Sequence, residues 1–240
     1  IITVFILLFS LNFAVYFLLL TRKWREALSS DELRFFLLVV TGATILIAID
    51  IAPLYTSIWE SLRYSVFQVA SIISTTGFAT ADFVLWPHFS QTILVLLMFC
   101  GACAGSTGGG IKCSRVLILL RSIRREIHRV IHPRSVEVVK LDGKVVEEDT
   151  LRSISVFVGS YLFIILAATL IISLDDFPFS VSFSSALTCI SNVGPGLELV
   201  GPTGNFSAFS HLSKIVMSLC MIIGRLEIFP ILVLFSRQAW

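Results

Sequence analysis

The sequence predicts an all-α integral membrane protein, and three observations lead to this prediction. Hydrophobic residues make up 56% of the 240 residues and charged residues 14%, whereas ordinary soluble domains have about 45–50% and about 25%. Mean hydropathy is +0.91, and several apolar stretches are long enough to cross a bilayer. The net charge of +2 provides no strong field for a polyanion. Together these values argue against disordered, nucleic-acid-binding and disulfide-scaffold proteins.

Five stretches have the length and composition of membrane spans, and they cover residues 1–20, 35–54, 90–120, 153–174 and 209–236. The first stretch lacks the basic start and the cleavage site of a signal peptide, so we interpret it as beginning inside a transmembrane helix. Two shorter apolar stretches, 57–73 and 177–190, carry too many polar residues to span comfortably. We expect them to be re-entrant or buried helices.

The placement of charge orients the predicted helices. Fifteen of the 18 basic residues lie in loop 21–34, segment 112–152 and the tail, whereas the opposite loops carry acidic residues without Lys or Arg. The positive-inside rule therefore places the basic loops in the cytoplasm. The run 121–134 is most simply a topology signal, with contact to anionic lipid or protein as an alternative. Segment 136–150 is predicted to be a small cytoplasmic excursion with a hairpin-like turn.

One order of elements occurs twice along the chain: a span, a short helix, a loop with glycine and a second span. At an offset of 117 residues, Ser74 matches Ser191 and Gly77 matches Gly194. Both units start and end on the cytoplasmic side. The sequence therefore predicts parallel repeats related by an axis along the membrane normal.

The loop after each short helix can present backbone carbonyls to an ion. Thr75, Thr76 and Gly77 can turn successive carbonyls toward an axis, because Gly77 permits conformations closed to other residues. A ring of carbonyls replaces the hydration shell of a monovalent cation. Neither loop carries a carboxylate, which suits Ca²⁺ poorly. The alternative is two ordinary re-entrant turns that bind no ion.

Residues 101–112 interrupt the predicted span 90–120, because five of these twelve residues are glycine. We expect two half-helices joined by an intramembrane loop. A phosphate-binding loop is an unsuitable interpretation, since Ile111 stands where that motif requires lysine. A narrow, flexible loop inside a pore-lining span is better suited to a gate.

A charge inside the last predicted span is a functional candidate by default. Arg225 is expected to donate to carbonyls of the glycine-rich loop or to repel cations there, with a purely structural buried arginine as the alternative. Cys100 and Cys103 form a CxxC pair without a second pair or a nearby histidine, so we expect buried, inert thiols. A membrane-embedded thiol enzyme would lack a catalytic partner.

Four segments, residues 74–80, 101–112, 191–196 and 224–230, resemble the Trk/Ktr/HKT superfamily of potassium transporters in sequence and order. The similarity is greatest to bacterial Trk-type membrane subunits and covers the chain from about residue 35 onward. The resemblance implies four M1–pore helix–M2 units around a pseudo-fourfold cation pore. This sequence would hold two of them: residues 1–34 would end the preceding repeat and form a cytoplasmic link, 35–134 the third unit, 135–151 a linker and 152–240 the fourth unit.

The resemblance also assigns roles to particular residues. Its implied selectivity filter consists of Thr75, Thr76, Gly77, Phe78, Asn192, Val193, Gly194 and Pro195, with K⁺ at Thr75, Thr76, Asn192 and Val193. The implied gating loop contains Gly101, Gly105, Ser106, Thr107, Gly108, Gly109, Gly110 and Lys112, and Arg225 would face it. The resemblance implies a transporter and not an enzyme, with K⁺ as the transported ion. It implies no catalytic residue and no covalent cofactor.

The resemblance finally implies a setting for the protein. We expect a multi-pass protein of the bacterial inner (plasma) membrane that contacts lipid, forms homodimers, binds a cytosolic nucleotide-binding regulatory ring and does not bind nucleic acid. The alternative is a Na⁺-permeable or Na⁺-coupled transporter of the same superfamily. Gly77 and Gly194 favour K⁺, and the filter residues of the other two units would distinguish a K⁺-selective from a Na⁺-carrying protein.

Overall fold

The structure, a computed structural model, describes residues 1–133 and 137–226, and this part of the chain is mostly helical. Its helices, in chain order, are α1 (Ile2–Phe9), α2 (Phe13–Leu20), α3 (Trp24–Ser29), α4 (Asp31–Asp50), α5 (Ile58–Ile73), α6 (His88–Cys100), α7 (Cys113–Ile131), α8 (Glu148–Ile172), α9 (Phe179–Ser191) and α10 (His211–Leu226). Between α7 and α8 lies a small hairpin of β1 (Lys140–Leu141) and β2 (Lys144–Val145).

Within the described residues, α4 and the helix that begins with α8 are each long and apolar enough to cross a membrane. They agree with the predicted spans over 35–54 and 153–174. Each begins a few residues earlier than predicted, at Asp31 and Glu148, because acidic residues suit the first turn of a helix. The predicted unit boundaries at 35 and 152 therefore fall inside these two helices.

Residues 1–20, predicted as a single span, do not form one continuous helix. They are divided by a break into α1 and α2, whose axes differ by 96°. The polar residues at the break explain it: the Ser10 hydroxyl donates to the carbonyl of Ile6 at 2.7 Å, and the Asn12 side chain accepts the Ala14 N–H at 2.9 Å. These side chains end one helix and cap the next, as Ser and Asn do at helix termini.

The short helices α5 and α9 agree with the predicted helices over 57–73 and 177–190. α5 begins where the Ser57 hydroxyl accepts the Trp59 N–H, and it packs against α1, α4 and α6. α9 packs against α6, α8 and α10. Both are buried along much of their length despite many serines. The structure thus packs each short helix against three other helices.

The predicted interruption of the span 90–120 is confirmed, because α6 ends at Cys100 and α7 begins at Cys113. Gly101 has a φ of +67°, which turns the chain away from the axis of α6. α7 starts apolar and becomes basic, so its second half has the composition of a helix surface that faces water. The intervening residues 101–112 are called the glycine-rich loop below.

The predicted turn at 141–144 is also confirmed. Asp142 and Gly143 both have positive φ, at 50° and 75°, which matches the right-handed twist of a two-residue hairpin. Val139 beside the hairpin is buried in a small apolar cluster with side chains of α7 and α8, namely Ile118, Leu151 and Ile154. We call residues 137–146 the basic-side hairpin, because they lie with the predicted cytoplasmic segments.

One large apolar core runs through both halves of the described structure. Phe99 on α6 connects the halves, since its ring lies 6.4 Å from those of Phe183 on α9 and Tyr161 on α8. At those distances and with tilted rings, aromatic pairs contribute beyond their buried area. The core therefore fixes the end of α6, from which the glycine-rich loop departs.

Gly224 allows α10 to approach the end of α9. A β-carbon at position 224 would overlap the carbonyl oxygen of Ile190 and lie 2.8 Å from the Asn192 side-chain nitrogen. α10 is described only as far as Leu226, so Glu227 to Pro230 of the motif at 224–230, and the rest of the predicted span to 236, lie outside the described residues. So do Arg134 of the basic run and Ser135 and Val136.

We predict opposite effects for alanine at two helical glycines. Gly224→Ala places a methyl group against the backbone of α9 and should destabilise the fold by about 1–3 kcal/mol, as overpacking does. Gly159→Ala is the matched control in α8, where nothing lies within 4 Å, and should stabilise by up to about 1 kcal/mol through helix propensity. Thermal unfolding of the detergent-solubilised protein measures both. Equal shifts in melting temperature would contradict the close approach.

Candidate functional site

The chain after α5 folds into a tight loop over residues 74–78, which we call the α5 loop. The N–H of Thr75 donates to the carbonyl of Ile72 at 3.1 Å, and the N–H of Thr76 donates to that of Ser71 at 2.9 Å. The Ser71 hydroxyl, which is buried on the helix, donates to the carbonyl of Phe78 at 2.5 Å. Thr75 and Gly77 have positive φ, at 59° and 75°.

The chain after α9 adopts the same arrangement over residues 191–195, the α9 loop. The N–H of Asn192 donates to Cys189 at 3.2 Å, and the N–H of Val193 donates to the carbonyl of Thr188 at 3.0 Å. The Thr188 hydroxyl donates to the carbonyl of Pro195 at 3.1 Å and accepts the N–H of Gly194 at 2.9 Å. Asn192 and Gly194 have positive φ, at 58° and 108°.

Three of these bonds recur at the offset of 117 residues that the sequence showed: two backbone bonds and the one from the helix hydroxyl. The N–H of the glycine differs, because that of Gly77 donates to the Ser71 carbonyl and that of Gly194 to the Thr188 hydroxyl. Thr75 corresponds to Asn192, which is a residue type that tolerates positive φ, and a hydroxyl side chain is buried at 71 and at 188. Sequence reasoning found the glycines of the two loops but missed Ser71 and Thr188, because a hydroxyl within a short helix has an ordinary appearance. The available signal was that Ser71 and Thr188 are separated by the repeat offset of 117 residues.

The two loops lie against each other. A β-carbon at Gly77 would overlap the carbonyl oxygen of Val193 and lie 3.1 Å from the Pro195 ring. Only glycine therefore allows the loops to touch at this point while its φ is positive. The predicted filter residues from both halves are thus brought together at one place.

The carbonyl oxygens of the two loops divide into two groups. Those of Phe78 and Pro195 accept the hydroxyls of Ser71 and Thr188 and so point back toward the helices. Within the described residues, no protein donor bonds to the other carbonyls, those of Thr75, Thr76, Gly77, Asn192, Val193 and Gly194. In an apolar layer, backbone carbonyls need a partner such as water or a cation.

The glycine-rich loop lies against the ends of both short helices. The N–H of Gly109 donates to the Thr75 hydroxyl at 2.8 Å, and a β-carbon at Gly109 would overlap the carbonyl oxygen of Ser191. Gly108 is close to Ser74 and Ala102. The middle of this loop therefore occupies the space next to the α5 and α9 loops.

Arg225 of α10 reaches the same loop. Its Nη1 donates to the carbonyl of Thr107 at 3.0 Å, and the Lys112 ammonium group donates to the carbonyl of Gly108. Arg225 thus donates to a carbonyl of the glycine-rich loop, which is the first of the two interactions expected for it. Gly224 and Arg225 also border a cavity of about 50 Å³ together with Gly108, Gly109 and Gly110.

The beginning of the glycine-rich loop is held by residues that the sequence analysis did not single out. The N–H of Cys103 donates to the carbonyl of Ser10 at 3.1 Å, and the N–H of Ala104 donates to the Glu32 carboxylate at 2.6 Å. Ser106 turns back so that its hydroxyl donates to the carbonyl of Cys103 at 2.5 Å. A glutamate at the edge of an apolar span was the signal that could have identified Glu32.

A second cavity lies between the α5 loop and the glycine-rich loop. It has a volume of about 360 Å³ and is bordered by Ser74, Thr76 and Thr107 on one side and by α1 and Ser10 on the other. Polar residues of both loops therefore border the same space.

The five cysteines carry free thiols, as expected, and all are buried. The Sγ atoms of Cys100 and Cys113 are 3.5 Å apart, and Cys113 donates to the carbonyl of Gly101 at 3.2 Å. These thiols flank the glycine-rich loop and pack within the core. Tyr161 supports the other side of the site, because its hydroxyl and that of Ser191 are 2.7 Å apart and both are buried.

Comparison with known proteins gives a consistent result along the whole chain. Residues 1–239 match the sequence profile of the TrkH family, described as cation transport proteins. The chain is 35% identical over 238 residues to the Trk system potassium uptake protein TrkG of Escherichia coli K12, which covers 98% of this chain and 49% of TrkG. It is 33% identical over 250 aligned positions to TrkH of Salmonella typhimurium, covering 100% of this chain and 50% of that protein.

A solved structure agrees with these sequence relationships. The crystal structure of the potassium transporter TrkH from Vibrio parahaemolyticus superimposes with a TM-score of 0.88 at 29% identity, and the match covers 99% of this chain and 52% of that one. The chain spans about half the length of the curated relatives it matches. The fold, the profile and the relatives agree, and the chain belongs to the TrkH family of cation transport proteins.

Proposed function

We propose that the protein is a pore-forming membrane subunit of a potassium uptake system, with a selectivity filter made by the α5 and α9 loops. One observation carries this proposal: six carbonyls of the two touching loops have no protein donor within the described residues. Such oxygens replace the hydration shell of a monovalent cation at little cost. The names of the relatives, potassium uptake proteins, support K⁺ as the transported ion.

The helices add an electrostatic contribution. α5 and α9 both end where their loops begin, at Ile73 and Ser191, so the negative ends of two helix dipoles are directed at the filter. No carboxylate lies in either loop. The partial charges of helix ends and carbonyl groups are smaller than that of a carboxylate. They hold a monovalent ion weakly enough for it to leave again, which conduction requires.

We propose that the glycine-rich loop is the gate and that the structure corresponds to its closed position. Gly109 touches both filter loops, and Thr107 is bonded to Arg225. A guanidinium beside this path repels a cation as well as fixing the loop, so Arg225 acts in two ways. Gly101, Gly105 and Gly110 have positive φ, which a flexible backbone supplies without a steric penalty.

The order of helices supports two M1–pore helix–M2 units, with α4, α5 and α6–α7 in one and α8, α9 and α10 in the other. The matched hydrogen bonds of the two loops support their relation as parallel repeats. Since the chain spans about half the length of its relatives, we propose that a complete pore contains two further units. The proposed unit limits remain 35–134 and 152–240, preceded by 1–34 and joined by 135–151.

The proposed setting follows from charge and family. The basic side of the protein would face the cytoplasm of a bacterial cell, in the inner membrane, by the positive-inside rule. There the basic segments of α7 and the hairpin would be available to a cytosolic nucleotide-binding regulatory ring. Homodimer formation is part of the same proposal.

We predict that serine at either filter glycine lowers K⁺ over Na⁺ selectivity by roughly tenfold, equivalent to about 1.4 kcal/mol. Gly77→Ser and Gly194→Ser both place a side chain where φ is positive, and that strain re-aims the neighbouring carbonyls. Gly194 is open on its side-chain side, so this variant should fold even if Gly77→Ser does not. Gly159→Ser is the control, and ion-competition flux in proteoliposomes is the measurement. Unchanged selectivity in both variants would remove the filter assignment.

We predict that Arg225→Ala raises K⁺ flux by roughly tenfold or more, because the loop loses a charge-assisted hydrogen bond of about 1.5–3 kcal/mol. Deleting Gly108 and Gly109 should act in the same direction. Arg152→Ala, an exposed arginine of α8, controls for the loss of one positive charge. Flux that falls to zero in correctly inserted protein would refute the gate.

A further inference from the structure

Glu32 is a buried carboxylate that touches the beginning of the glycine-rich loop. It is the second residue of α4 and only 6% exposed. One carboxylate oxygen accepts the N–H of Ala104 at 2.6 Å, and the other accepts the Asn12 side-chain amide at 3.3 Å. Burying a carboxylate is costly unless donors compensate it, so this placement requires an explanation.

The two donors come from different parts of the chain. Asn12 caps α2 with its oxygen while its nitrogen donates to Glu32. The break between α1 and α2 also contacts the loop directly, because the N–H of Phe13 donates to the carbonyl of Gly105 at 3.5 Å. Glu32 therefore fixes Ala104 against the α1–α2 break, some residues away from the bond between Thr107 and Arg225.

The residue before Glu32 is bonded to the basic-side hairpin. The N–H of Asp31 donates to the Asp142 carboxylate at 2.6 Å, and the N–H of Asp142 donates to the Asp31 carboxylate at 3.0 Å. Arg121 donates to Asp31 at 2.8 Å and also to the carbonyl of Lys140. The turn of the hairpin is thus attached to the first residue of α4.

The hairpin is attached to α7 and α8 by a small apolar cluster. Val139 is 3% exposed and packs with Ile118, Leu151 and Ile154 of α7 and α8, whereas Lys144 and Val145 face outward. A force on β2 would reach Asp142 directly, because only Gly143 lies between them in the chain. Asp31 and Glu32 are adjacent in the first turn of α4, so a displacement of one displaces the other.

We propose that Glu32 is a positioning residue that couples the basic-side hairpin to the glycine-rich loop. The connection runs from Asp142 to Asp31 by two hydrogen bonds, through one peptide bond to Glu32, and from its carboxylate to the N–H of Ala104. Its importance for transport rests on the proposed function, in which the glycine-rich loop is the gate. The physical coupling between the hairpin and the loop does not depend on the proposed function.

A carboxylate suits this position because both of its oxygens accept. In Glu32→Gln, the amide oxygen can bond Ala104 or Asn12, but the new NH₂ group would face another donor. A flip that turned the Asn12 oxygen toward the new NH₂ group would break the bond from the Ala14 N–H, so it offers no repair without loss. The variant should therefore release the loop without removing volume.

Hydrogen–deuterium exchange of residues 102–112 in the complete, purified protein tests the coupling directly. We expect Glu32→Gln to accelerate exchange at Ala104 and its neighbours roughly tenfold. Asp142→Gly removes the carboxylate while keeping the positive φ of the turn, and it should accelerate exchange in the same loop peptide from a distance. Glu26→Gln, an exposed glutamate of α3, is the matched control and should have no effect.

Two results would overturn the inference: unchanged loop exchange in Glu32→Gln, or in Asp142→Gly. If Glu32→Gln does not yield folded protein, Glu32→Asp takes its place, since the shorter side chain cannot reach both donors. The double variant Glu32→Gln with Asp142→Gly should exchange no faster than the faster single variant, because both act on one connection. Additive acceleration would argue for two independent effects and against the coupling.

Flux measurements separate this inference from the proposed function. Both variants should raise K⁺ flux in proteoliposomes, with unaltered K⁺ over Na⁺ selectivity, because neither residue contacts the filter loops. A protein that conducts no K⁺ in any form would refute the proposed function, while the exchange data would still decide the coupling. Suppose that Arg225→Ala raises the flux while Glu32→Gln leaves both flux and exchange at the wild-type level. This result would support the gate but show that Glu32 takes no part in it.

Discussion

The proposed pore depends on one constraint: two short helices end within the apolar core, and the backbone beyond them needs hydrogen-bond partners. A carbonyl without a donor in hydrocarbon costs several kcal/mol. The α5 and α9 loops resolve part of this cost internally, because Ser71 and Thr188 donate to the carbonyls of Phe78 and Pro195. Within the described residues the remaining carbonyls have no protein donor, and in the proposed function a wet path with a cation satisfies them.

The surrounding helices follow from this constraint. The loops keep their shape only if the helix ends are held rigidly, and Tyr161 holds Ser191 while the backbone of Met221 accepts the Asn192 amide. Close approach is needed for such bonds, which is why α10 has glycine at position 224 opposite α9. Packing, small residues and buried hydroxyls therefore serve the same purpose, the positioning of a few carbonyl oxygens.

Much of this arrangement could be predicted from the sequence, because its signals are periodic or compositional. The short helices over 57–73 and 177–190, the glycine interruption and the turn at Asp142–Gly143 each have a local cause. The bend of 96° between α1 and α2 was not predictable in this way, since Ser10 and Asn12 are tolerated within apolar helices. Their local bonds end one helix and cap the next, and contacts distant in sequence add to them, since Asn12 bonds Glu32 and Phe13 bonds Gly105.

In the proposed function the glycine-rich loop moves, and the kind of contact that holds it suits that role. Its middle makes polar contacts with Thr75, Arg225 and its own Lys112, and glycine contributes no apolar side chain to bury. Hydrogen bonds of this kind contribute about 0.5–3 kcal/mol each, so in the proposed gate a few of them set the balance between the closed and the open position. Apolar packing would hold the loop more firmly, but it would also remove the means of releasing it. A gate of the kind proposed for residues 101–112 is therefore expected to be held by a small number of polar bonds.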